Sequence, residues 1–152
     1  MIDYFLIAFL STQSTQPAPS APKDFEHPIE IHSEKFRVYS QKHQAVWTGH
    51  VQAKRDTTDL RCQQLTAYYT EDEKISRLEC VGNVEVTDGD RFASGEHADF
   101  DNVSGVLVLT GSPQARQGPN RMLGSKVIFS VGKDTLEVEN ATTFFETSSK
   151  KL

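Results

Sequence analysis

The sequence predicts an all-β domain assembled from four similar stacked units, and three observations carry that expectation. First, a bend motif recurs as Trp47-Thr48-Gly49-His50-Val51-Gln52-Ala53, Cys80-Val81-Gly82-Asn83-Val84-Glu85-Val86, Leu109-Thr110-Gly111-Ser112-Pro113-Gln114-Ala115 and Val138-Glu139-Asn140-Ala141-Thr142-Thr143-Phe144, with centres 33, 29 and 29 residues apart. Three centres are Gly and the fourth is Asn, the residues that enter the left-handed region at least cost, so each copy should bend or bulge a strand. Second, an apolar-x-small-x-x-apolar-x-apolar motif recurs as Ile31-x-Ser33-x-x-Phe36-x-Val38, Leu60-x-Cys62-x-x-Leu65-x-Ala67, Ala93-x-Gly95-x-x-Ala98-x-Phe100 and Met122-x-Gly124-x-x-Val127-x-Phe129, at steps of 29, 33 and 29. Side chains alternate faces along a strand, so its single step of three requires an extra residue to be absorbed. Third, no window carries a sustained helical period with a capped start. Repeats of this length cannot bury a face alone and stack on their neighbours.

Taken in order, residues 1–10 form a short apolar run after Asp3, too short to span a bilayer. The run has the length of a secretory apolar core but lacks a basic start and a clear cleavage site. Residues 11–23 are polar and Pro-rich, so residues 1–28 are assigned to an apolar segment and flexible linker. The folded domain is placed at 29–145. Unit one runs from Ile29 to Ala53 and turns at Ser40–Gln44. Unit two runs from Leu60 to Val86 and turns at Glu71–Glu73. Asp88-Gly89-Asp90, an Asp-Gly hairpin signal, leads to unit three, Phe92 to Ala115, which turns at Asp101-Asn102. Unit four follows Gly118-Pro119-Asn120 and turns at Gly132-Lys133-Asp134, and residues 146–152 are a fraying tail.

The 152 residues suffice for one domain, and a hydrophobic fraction of 37% suits an all-β structure with a wet outer face. A net charge of −5 argues against a nucleic-acid partner. The sequence has no nucleophile elbow, phosphate-binding loop, zinc-protease motif or Cys-x-x-Cys, so no enzymatic activity, cofactor or metal is expected. The five histidines, His27, His32, His43, His50 and His97, fall at different points of the repeat and read as surface or turn residues. A hairpin turning near Glu71 would bring Cys62 and Cys80 almost opposite each other. A cross-strand disulfide and two buried thiols both fit that placement.

The four-fold recurrence, best matched in Val81-Gly82-Asn83-Val84-Glu85-Val86 and Gly95-Glu96-His97-Ala98-Asp99-Phe100-Asp101, resembles the OstA-like family of lipopolysaccharide transport proteins over residues 29–145, and in size its small LptA-type members. The resemblance implies an elongated, twisted β-jelly roll, open at both ends, that works in the periplasm of a Gram-negative bacterium in outer-membrane biogenesis. It further implies a non-catalytic carrier that holds lipid A acyl chains in a trough. Its implied partners are lipopolysaccharide, similar jelly rolls at the inner and outer membranes, and copies of itself stacked end to end.

The apolar face of such a roll would be lined by Phe36, Val38, Trp47, Leu65, Ala67, Leu78, Ala98, Phe100, Leu107, Leu109, Val127, Phe129, Leu136 and Val138. The expected assembly edges are Ile29–Val38 at one end, including Ile31, and Val127–Val131 with Thr142–Phe145, including Phe144, at the other. Three other readings stand beside this one: a polymerising β-repeat protein with a filled core and no ligand, a membrane-tethered relative in the same pathway, and a cupin-type enzyme, which the missing His/Glu metal set disfavours.

Overall fold

A computed structural model of the chain describes residues 29–130 and 133–146. The segment and linker expected over 1–28, the edge residue Val131 and the tail from 147 onward lie outside the described residues.

The described residues form twelve strands in one antiparallel, open, twisted sheet, the β-jelly roll that the family resemblance implies. The strands are β1 (Glu30–His32), β2 (Lys35–Tyr39), β3 (Gln44–Arg55), β4 (Thr58–Tyr69), β5 (Ile75–Asp88), β6 (Arg91–Asp101), β7 (Val106–Thr110), β8 (Gln114–Gln117), β9 (Asn120–Leu123), β10 (Lys126–Ser130), β11 (Thr135–Glu139) and β12 (Thr142–Phe144). A 3-10 turn at Ser40–Lys42 closes the first hairpin, ending on His43 in the left-handed region.

Strands β3 to β6 are long, and each serves two walls. Beyond the bends, their ends nearer β1 join β1, β8, β9 and β12 in wall A; their other ends join β2, β7, β10 and β11 in wall B. The division falls where the ladders lose register, at Thr48/Val51, Arg61/Gln64 and Val81/Val84. Gly49, Gly82, Gly111 and Asn140 all have positive φ, as the repeat requires, at 83°, 87°, 78° and 52°. In the first three copies the next residue is left-handed too: His50, Asn83 and Ser112. Two such residues in succession turn the strand and restore its alternation, so the apolar positions on both sides of the bend face the same interior.

The "small" position of the second motif follows from the same bend. A Cβ built on Gly95 would lie 2.7 Å from the carbonyl oxygen of Thr110, so the neighbouring backbone passes where a side chain would stand.

The fourth copy corrects the sequence alignment. The amides of Glu34 and Glu96 donate to the carbonyls of Gly49 and Gly111, and the equivalent amide of Ser125 donates to Glu139, one residue before Asn140. Asn140 therefore matches His50, and the last bend is one residue shorter than the others. Thr143 takes the register position held by Ala53 in unit one, opposite Met122 as Ala53 is opposite Ile31. Phe144 falls on the opposite face, exposed, with the Arg121 guanidinium 4.9 Å from its ring centroid.

Candidate functional site

Cross-strand register assembles the apolar positions into rows. In wall B the first row from the bend is Phe36, Trp47, Leu65, Cys80, Ala98, Leu109, Val127 and Val138, each opposite the next. The second is Val38, Ala45, Ala67, Leu78, Phe100, Leu107, Phe129 and Leu136. All fourteen predicted lining residues fall in these two rows, because the rows alternate with outward residues at period two. Wall A answers with Ile31, Ala53, Leu60, Val86, Ala93, Ala115, Met122 and Thr143, a row that the sequence reading left out of the candidate lining. Its signal was already present: Ile31, Leu60, Ala93 and Met122 open the four copies of the second motif.

The rows differ in how far the opposite wall covers them. Leu65, Ala98, Leu109 and Val127 are buried in one cluster with Val51, Val84 and Ala115 from the bend and wall A. Phe36 and Val38, at the β2 end, are 55% and 57% exposed. The Phe36 ring leans on Trp47, with centroids 4.9 Å apart, and its other side faces out. Between the walls, around Val86, Leu107, Phe129 and Leu136, a cavity of about 50 Å³ remains. A larger, open depression of about 780 Å³ follows the bends and is rimmed by Glu34, His50, Arg61 and Glu85. It is ringed by charged groups and lies apart from the apolar rows.

The ends of the sheet partly match the expected edges. β1 and β2 pair only with β3, and β11 and β12 pair only with β10 and β9 respectively, so Ile31 and Phe144 lie on edge strands. Ile29 immediately precedes β1 and is exposed. β10 is not an edge. It is held between β7 and β11, because the chain returns alongside it as β11, which places the terminal ladder of wall B at Thr135–Glu139.

Cys62 and Cys80 are free thiols whose sulfurs lie 2.7 Å apart. They are not direct cross-strand partners, since Cys80 is opposite Leu65 and Cys62 opposite Val51. The bend brings them together diagonally. The contact with Cys62, then burial, pushes the Cys80 thiol up from its ordinary range.

On the outer face, Glu79, His97 and Asp99 bring three potential ligand atoms within 4.8 Å of one another, a cross-strand grouping that sequence spacing did not show. Arg77 already occupies it. Its guanidinium donates to Asp99 Oδ1 at 2.8 Å and to Glu79 Oε2 at 2.7 Å, so a cation would have to displace an arginine.

Residues 30–135 match the family described as "LptA/(LptD N-terminal domain) LPS transport protein". An uncharacterized protein of Rhizobium meliloti (strain 1021) is 27% identical over 117 residues, covering 72% of this chain and 56% of that protein, so the chain spans little more than half the length of this curated relative. The crystal structure of LptH, the LptA-homologous periplasmic component of the lipopolysaccharide transport device of Pseudomonas aeruginosa, has a TM-score of 0.72 at 15% identity. It covers 83% of this chain and 100% of that one, a likeness of fold.

Proposed function

The chain belongs to the LptA/LptD N-terminal domain family of lipopolysaccharide transport proteins, and on that premise we propose that it is a periplasmic, non-catalytic carrier that holds the acyl chains of lipopolysaccharide between its two walls. The observation that carries this reading is the pair of apolar rows crossing wall B without interruption from Phe36 and Val38 to Val138 and Leu136. At the β2 end they emerge exposed, where chains can enter or leave. Apolar surface that is continuous along one face and uncovered at an end marks a binding surface.

A photoreactive residue at Phe100, within the second row, should capture lipopolysaccharide in the cell, and the same group at outward-facing Val103 should not. Equal capture at both positions, or none at Phe100, would remove the reading.

End-to-end stacking follows from the edges. β1 and β2 at one end, β11 and β12 at the other, carry backbone groups that can extend a ladder into a second copy or a partner jelly roll. The two ends differ, so the contact does not close on itself, and light scattering should show mass rising with concentration. Ile31→Pro or Glu137→Pro removes a backbone donor from one edge each. Each folded variant alone should stop growing, and an equal mixture should form dimers. A wild-type chain that stays monomeric to millimolar concentration would exclude these edges as the assembly surface.

A further inference from the structure

One residue ties the two walls together at their rims. Arg91 opens β6 on the interior face, one alternation beyond Ala93. Asp134, just before β11, stands one alternation beyond Leu136 on wall B. The Arg91 guanidinium donates through Nη1 to Asp134 Oδ1 and through Nη2 to Asp88 Oδ2 at 3.2 Å, and it lies 5.2 Å from the ring centroid of Phe129. It therefore crosses the mouth of the trough, directly above the small cavity between Leu107, Phe129 and Leu136. That cavity, at about 50 Å³, has room for a few waters at ~10–15 Å³ each and not for a long acyl chain. An acyl chain in this part of the trough requires the walls to part, and parting them separates Arg91 from Asp134.

We propose that Arg91 is an exchangeable latch and the anion-binding residue of the rim: entry of an amphiphile breaks its pair with Asp134, and the anionic head group of the same molecule takes the vacated guanidinium. This rests on the acyl-chain reading and names the group that meets the other end of the ligand. The side chains suit the exchange. Asp134 is 74% exposed, so its carboxylate returns to water at little cost. Arg91 is only 31% exposed, anchored by Asp88 on its own wall when the walls part, and remains charged at any working pH. A phosphate or carboxylate accepts the planar fork of donors as Asp134 does, so one charge-assisted hydrogen bond replaces another.

The test uses the full chain, a fluorescent long-chain fatty acid and its uncharged methyl ester. The wild type should bind both, the acid more tightly. Arg91→Gln should weaken the acid by about tenfold, the equivalent of ~1.4 kcal/mol, and leave the ester within about threefold. Arg91→Lys should recover part of the preference for the acid. Asp134→Asn, which loosens the latch without removing the arginine, should bind both probes more tightly. Equal weakening of acid and ester by Arg91→Gln would make Arg91 a structural residue and overturn the proposal, as would unchanged affinities in Asp134→Asn. Should Arg91→Gln fail to fold, the Asp134→Asn result decides alone. A wild type that binds neither probe defeats the acyl-chain reading itself, a different result from binding both without preference, which defeats only the latch.

Discussion

The two ends of the trough are built from the same motif and behave differently. At the β2 end, Phe36 and Val38 occupy the same two rows as Val127 and Phe129 yet stand exposed, whereas Val127 is fully buried. The sequence positions are equivalent; what differs is the wall across from them. Toward β10, Arg91 reaches from wall A to Phe129 and Asp134, and Val84 and Ala115 pack into the cluster that holds Val127. An apolar residue in a repeat is therefore buried core or exposed surface according to its place along the stack, which the repeat alone does not encode.

The largest expected effect separates these roles. Leu109→Asp places a carboxylate among buried apolar side chains and should cost about 4 kcal/mol or more in urea unfolding. Val38→Asp, in an exposed position of the neighbouring row, should change stability by no more than about 0.5 kcal/mol while weakening lipid capture. Comparable destabilisation by both would mean that the β2 end is packed like the other. Next in size is the thiol pair at the bend. Joining Cys62 to Cys80 closes a loop spanning 18 positions and should add about 3 kcal/mol to the stability of protein isolated without reductant over protein kept reduced. Equal urea midpoints, with both thiols open to alkylation in the unreduced protein, would show that the pair stays free.

The bends rank third. Gly82→Val forces a β-branched residue into φ 87° against the Gln63 side chain and should cost about 1–3 kcal/mol. Gly118→Ala, at φ 54° in a hairpin turn with no neighbour near its Cβ, should cost about 1 kcal/mol. If the hairpin change proved the costlier, the bends would not be the strained element of the fold. The smallest effect belongs to the shortened last bend. Asn140→Gly relieves a left-handed side chain but gives up its 2.8 Å bond to Ser125, and should leave the thermal midpoint nearly unchanged.

Much of this architecture was legible from residues. The central Gly of the first three bends, the period-two rows and the inward set from Phe36 to Val138 follow from spacing, because alternation and positive φ leave marks in composition. The second left-handed residue did not, since His50, Asn83 and Ser112 share no residue type. The one-residue shortening near Asn140 was hidden for a related reason: Thr142 and Phe144 imitate the apolar pattern closely enough to align one place out of step. Wall A's row went unassigned although its residues headed a motif, and β10 was mistaken for an edge because a strand's neighbours are not local. The Arg91–Asp134 pair, 43 positions apart in the chain, exists only because two walls approach each other, and no repeat contains it.

The four continuous strands also decide which motions the molecule can make. Sliding one wall along the other would break backbone ladders in β3, β4, β5 and β6 together, whereas changing the angle between the walls asks for dihedral adjustments where those strands bend, at the left-handed pairs Gly49-His50 in β3 and Gly82-Asn83 in β5 and at the ladder shifts in β4 and β6. Mechanically the molecule is a book with a four-ply spine. A change in the angle of the covers leaves the register of either page intact.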